Sequence, residues 1–206
     1  MALLAVFEPL RIRDRFVLRA YRFASGGIGT GVVWAVPEDA PFPDPQECLP
    51  GPTEPIPGSL ADVPRPDGAL DTFMEAIDGD RTLWSYLCAS LLEREAREFG
   101  SMCHGLEWTE PTLLGMDPWE QADRFPDSDG AFSPTPREGW DWRRQEPADW
   151  RPAARAVDIG VEVTFFAYDP VGQEAIIRHT DRYRTGSYVF QHEWDTVALG
   201  AGGFIH

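Results

Sequence analysis

The stretch Glu174–Phe204, EAIIRHTDRYRTGSYVFQHEWDTVALGAGGF, decides the fold class. Two runs rich in Ile, Tyr, Val, Phe and Trp flank Thr185-Gly186, and a turn dipeptide between alternating residues specifies a β-hairpin. A loop of two or four residues places Tyr183 opposite Tyr188, Asp181 opposite Phe190 and His179 opposite His192. A one-residue slip sends each side chain to the other face, so an odd loop breaks that pairing. With an even loop, two of the four histidines meet on one face of one sheet.

Working outward, VDIGVEVTFFAYD (157–169) reads as a strand that enters the hairpin through a turn near Pro170-Val171-Gly172. At the other end of the chain, LLAVFEPLRIRDRFVLRAYRF interleaves apolar and Arg residues as a half-buried strand does. Ser25-Gly26-Gly27 then turns it into IGTGVVWAVP, which Pro37 ends. The run GGIGTG has the glycines of a phosphate loop. That motif needs a following helix, however, and Val32, Val33, Trp34 and Val36 favour a strand, so it is read as a hairpin turn.

Helical spacing appears between the hairpins. In GALDTFMEAIDG, Leu70, Phe73, Met74 and Ile77 recur at i, i+3, i+4 and i+7, with Asp67 as cap and Gly79 as stop. Asp80 then caps RTLWSYLCASLLEREAREF, in which Trp84, Leu87, Cys88 and Leu91 form an apolar stripe and Glu93 and Arg97 an i, i+4 pair. Asp117-Pro118 marks one further short helix. The order predicts an α+β fold: a mainly antiparallel sheet built from N-terminal and C-terminal hairpins, two central helices and a long Trp-rich loop. At 206 residues the chain is long enough for one well-buried core, and a single domain, 1–206, is expected.

Charge narrows the function classes. Against 34 acidic residues stand 18 basic ones, all Arg, giving −16. A phosphate backbone needs a basic footprint, so nucleic acid is not expected as a ligand. Anionic membrane surfaces are disfavoured too, and no stretch approaches the roughly 18 apolar residues of a membrane span. MALLAVFEPL lacks a basic flank and does not read as a signal peptide. Three irregularly spaced cysteines make no disulfide framework, and the bacterial cytoplasm is the expected compartment.

The acidity is concentrated. Residues 37–66 hold ten of nineteen prolines and read as an acidic connector; residues 37–80 carry eleven acids against Arg65, or −10. Residues 101–150 carry eleven acids against four Arg, or −7, together with five of the eight tryptophans. A long polar loop with several tryptophans suits a binding surface, and Trp108, Trp119, Trp140 and Trp142 are its candidate anchors. Trp140 and Trp142 are then expected to be more exposed than Trp84. A staple holding the loop to the sheet is the competing account.

Two functions follow. The first is an acidic binding protein of inhibitor or immunity type, which captures or neutralises a basic protein partner through charge steering and aromatic burial. The alternative is a small-molecule-binding protein or enzyme with a site on the C-terminal sheet, where His179, Asp181 and His192 act as base and orienting acid. In that alternative the same three side chains could also ligate Zn²⁺ or Fe²⁺. Cys103-His104 is a poor catalytic pair, because neighbours in sequence rarely face each other and the surrounding charge is acidic. Cys88 lies in a helical stripe and reads as a small buried hydrophobe.

Overall fold

The computed structural model describes residues 3–25, 28–41, 65–100, 111–125 and 132–203, and these form α+β architecture with antiparallel strand pairing throughout. They cluster into two units: residues 1–108 with 186–189, and residues 109–185 with 190–206. Among the described residues, no helix is long and apolar enough to cross a membrane.

In the first unit, strand β1 (Leu10–Ile12) is followed by the N-terminal hairpin, β2 (Phe16–Ser25) and β3 (Ile28–Pro37), paired over their full lengths. β3 is buried on both faces at Val32, Val33, Ala35 and Val36, as a β-branched run without charge permits. Of the glycines in GGIGTG, Gly29 and Gly31 lie within β3, so a strand takes the place of the helix that a phosphate loop needs.

The spacing of Phe73, Met74 and Ile77 has a different origin from the helix expected there. One 3-10 turn, Phe73–Ala76, leads directly into β4 (Ile77–Gly79), which pairs with β1. Turn and strand together bury the three side chains that a helix would have buried. Thr72 caps the turn in place of Asp67: its hydroxyl accepts from Met74 N, and Glu75 accepts from Thr72 N. Gly79 is no helix stop. A Cβ there would lie 2.6 Å from Tyr188 Oη and 2.7 Å from Pro9 O, so the residue is glycine because neighbours crowd it.

Helix α1 (Leu83–Arg97) packs against β3 and β1. Its cap is Thr82, whose hydroxyl accepts from Ser85 N at 3.2 Å. Asp80 stands two residues back and accepts from the Thr82 amide and hydroxyl, bonds that hold its carboxyl below the usual range. The expected stripe holds at Leu87 and Cys88, which are buried, but its centre is rotated. Ala89, Leu92 and Ala96 are its buried centre, whereas Trp84 is 60% exposed on the first turn. Cys88 is buried, and burial pushes its thiol up, which keeps it protonated and inert. Glu93 and Arg97 pair as the i, i+4 spacing predicts.

Tyr188 completes this unit. Its hydroxyl accepts from Arg81 N at 3.0 Å, lies 2.7 Å from Ser85 Oγ, and its ring stacks on Tyr86 at 4.9 Å. These contacts fix the start of α1.

The second unit begins with β5 (Thr112–Leu114) and helix α2 (Pro118–Arg124), which Asp117 caps as expected by accepting from Trp119 N and Glu120 N. It continues through β6 (Asp141–Trp142), β7 (Ala153–Val157), β8 (Gly160–Asp169), β9 (Ala175–Arg184) and β10 (Phe190–Leu199). The order across the sheet is β5-β8-β9-β10-β6, with β7 beside β5 on the outer side of β8. Residues 157–169 were expected as one strand. Asp158-Ile159 instead forms a turn that ends β7 and starts β8.

We expect Tyr188→Phe to lower the unfolding free energy by about 1–3 kcal/mol, because it strands the Arg81 N–H and removes the bond to Ser85 Oγ, which keeps only its bond to Thr82 O. Urea denaturation measures it. Adding Ser85→Ala to the Tyr188→Phe background should cost less than Ser85→Ala alone, since the pair acts as one unit.

Candidate functional site

β9 is bonded on both sides, to β8 over ten pairs and to β10 along almost its whole length, so its two faces are fixed. The alternation of AIIRHTDRYR then sorts chemistry by face. Ile177, His179, Asp181 and Tyr183 point one way; Arg178, Thr180 and Arg182 point the other.

On the histidine face the hairpin has the expected parity but a different register. Phe190 faces Tyr183, His192 faces Asp181 and Trp194 faces His179. The expected pairs (Tyr183 with Tyr188, Asp181 with Phe190, His179 with His192) are therefore each displaced by two residues. A shift of two preserves the face, so His179 and His192 still meet, now diagonally. Their rings stack at 5.4 Å and 19°, and Phe165 stacks on the far side of His179 at 5.0 Å and 18°. Asp181 is completely buried, and its Oδ1 lies 2.7 Å from Nδ1 of His192, whose side chain is 35% exposed.

A carboxylate can only accept, so in the neutral ring Nδ1–H donates to Asp181 and Nε2 is the acceptor. The three residues named from the sequence thus come together, as a ring stack plus a hydrogen-bonded pair. They do not converge on a point between them. Imidazole lone pairs lie in the ring plane, and stacked rings present their faces to each other. Among the described residues, no group of three or more His, Cys, Asp or Glu side chains is placed to hold a metal ion.

The opposite face carries rows of charge. Arg155, Glu162, Arg182 and Glu193 are ion-paired in sequence across β7, β8, β9 and β10, and Asp195 pairs with both Arg178 and Arg144. The hydrogen bond from Arg155, supplemented by Arg182, holds the Glu162 carboxyl below its usual range. Acidic residues here are matched locally by arginine.

The tryptophans reverse the expected exposure. Trp140 is only 7% exposed and Trp84 is 60%, because Trp140 belongs to a core with Trp150, Phe132, Phe166, Tyr168, Ile176 and Val197, and Trp119 and Trp142 pack against it. Trp119 meets Trp140 edge-on at 5.8 Å, and Trp150 meets Phe166 at 5.3 Å. Arg137 lies 4.2 Å over the Trp119 ring and pairs with Asp117 and Glu146, which neutralises two of the loop's acids. Described tryptophans of the 101–150 segment therefore hold that loop on the sheet. Trp108 and Cys103-His104 lie outside the described residues, as does most of the Pro-rich connector.

Two residues that matter were not singled out from the sequence. Trp194 is 63% exposed on the histidine face. Glu174 is buried on the loop side, where its carboxylate accepts from Tyr168 Oη (3.0 Å), Thr135 N (3.2 Å), Gly202 N (2.8 Å) and the Thr135 hydroxyl. Thr135 O in turn accepts from Trp119 Nε1 and Trp140 Nε1. Burial, then the Glu174 charge, pushes the Tyr168 phenol up, so it stays a donor. The sequence signal for this anchor is slight: an acid two residues after Gly172, with the glycine run GAGG at 200–203 well downstream.

Glu174→Gln puts an amide N–H₂ among donors. We expect a loss of about 1–3 kcal/mol and a reduced near-ultraviolet circular dichroism signal from the tryptophan core. An unchanged signal would mean the carboxylate does not fix Thr135.

Comparison with protein-family models, with curated proteins and with solved structures returns no match for this chain.

Proposed function

We propose that the Asp181–His192 pair is a hydrogen-bonding and proton-accepting site, and that the chain is a small-molecule-binding protein or enzyme built on it. One observation carries this reading: a fully buried carboxylate is bonded at 2.7 Å to an imidazole whose side chain is one-third exposed. A buried carboxylate is costly unless it is well bonded, and this one is spent on orienting a ring that solutes can reach. Asp181 fixes the tautomer, which leaves Nε2 as the ring atom that accepts a hydrogen bond or a proton. His179, stacked between Phe165 and His192, holds the plane of that ring.

The test is a set of histidine-ring NMR spectra recorded across small alcohols, phenols and amines. Ligands that bind should shift the His192 ring signals. Asp181→Asn should weaken them about tenfold or more, the worth of a charge-assisted hydrogen bond of about 1.5–3 kcal/mol. If Asp181→Asn costs stability but leaves every ligand shift intact, the pair is structural and the reading fails.

The formal charge of −16 favours a second reading, capture of a basic protein partner. Its exposed aromatic anchors would be Trp84 and Trp194, since Trp119, Trp140 and Trp142 are packed. Such a complex, isolated from the native host, should dissociate as salt rises from about 0.05 M to about 0.5 M. Indifference to salt would remove this reading.

A further inference from the structure

The Asp181–His192 reading leaves the ligand class open, and Trp194 narrows it; the inference rests on that reading. Three rows cross the histidine face: Phe165–His179–Trp194, Val163–Asp181–His192 and Val161–Tyr183–Phe190. Burial falls along each row. The β8 members and the β9 residues Asp181 and Tyr183 are buried, whereas His192 and Trp194 on β10 are exposed. The face is therefore reached from its β10 side, where a solute meets an imidazole and an indole.

An indole this exposed leaves a large apolar plate in water, and Trp, Tyr and Phe rings gain from offset or edge contact with another ring. His192 and Trp194 are two residues apart on one strand, so their Cα atoms are about 6.6–6.8 Å apart and their side chains share a face. A single six-membered ring together with a hydrogen bond of about 2.8 Å bridges such a gap. The geometry points to a planar aromatic ligand bearing a hydroxyl, a phenol-type ring that stacks on Trp194 while its O–H donates to Nε2 of His192.

The indole face could also take a cation, such as an arginine of a basic partner. The charges nearby argue against that. Glu193 is paired with Arg182, and Asp195 with Arg178 and Arg144, all on the opposite face. On the histidine face, Asp181 is buried and bonded to His192, and Asp169, at the far end of β8, accepts from Val171 N. The carboxylates on either side of Trp194 in the strand, Glu193 and Asp195, are already matched by arginine, and a neutral ring suits the plate better.

Two probes separate the parts of this proposal: p-cresol, and 4-methylanisole, which has the same ring without the O–H. Ligand-observed NMR titration of the full chain should show p-cresol binding with upfield-shifted ring protons. Trp194→Ala should weaken it about tenfold and abolish the upfield shift, while Trp194→Phe retains most of both. 4-Methylanisole should bind several-fold more weakly than p-cresol, and His192→Gln should erase that preference.

No binding of p-cresol, or equal binding by wild type and Trp194→Ala, overturns the inference. Preference for tetramethylammonium over p-cresol overturns it in favour of a cation. If Trp194→Ala has no effect while His192→Gln still removes the O–H preference, the stacking role of Trp194 fails but the Asp181–His192 site stands. If His192→Gln and Asp181→Asn both leave p-cresol binding untouched, the site reading itself fails.

Discussion

Everything in the second unit depends on β9 being hydrogen-bonded along both edges. A strand held on two sides cannot slip, and with a side-chain period of two its faces become separate chemical surfaces. The histidine face inherits Asp181 and its imidazole; the reverse face inherits the arginines that thread the ion-pair rows. A strand free on one side could relieve the burial of Asp181 by local opening. β9 has no such exit, so the carboxylate stays dry and its bond to His192 sets the orientation of that ring.

Much of this was legible in the chain because alternation survives errors of detail. The hairpin could be read from Thr185-Gly186, and an even loop was enough to bring His179, Asp181 and His192 onto one face. The register could not be read, because it depends on where the turn is centred. Tyr188 bonds to Arg81 N and packs on Tyr86 in the first unit, so Gly186–Val189 belong to that unit and cannot extend the ladder from Tyr183. Spacing near residue 73 misled for a related reason: i, i+3, i+4, i+7 burial is shared by a helix and by a tight turn that runs into a strand.

Tryptophan exposure was the least legible quantity. Polar, Pro-interrupted sequence around Trp119, Trp140 and Trp142 resembles a surface loop, and the property that buries these rings is tertiary. Phe166, Tyr168 and Ile176 form the apolar end of the same sheet face that carries the charge rows, and the indoles fill that end. Trp84 looked like a core residue because it opens a helical pattern, yet the buried centre of that helix lies at Ala89, Leu92 and Ala96. The total charge likewise gives no hint that Glu162, Glu193 and Asp195 are each matched by arginine across the strands.

The seat of Glu174 sets a rule for how this sequence can drift. A Cβ at Gly200 would fall 2.3 Å from Glu174 Oε1, and one at Gly202 would fall 2.8 Å from Thr135 Cγ2 and 2.9 Å from that same oxygen. The GAGG run looks like low-complexity filler, but two of its glycines, 200 and 202, are required by a side chain far upstream. Glycine is retained there for as long as a carboxylate occupies position 174. Among diverged copies of the chain, the two glycines, Thr135 and Glu174 should change as one covarying group, with the acid and its glycine cradle lost together.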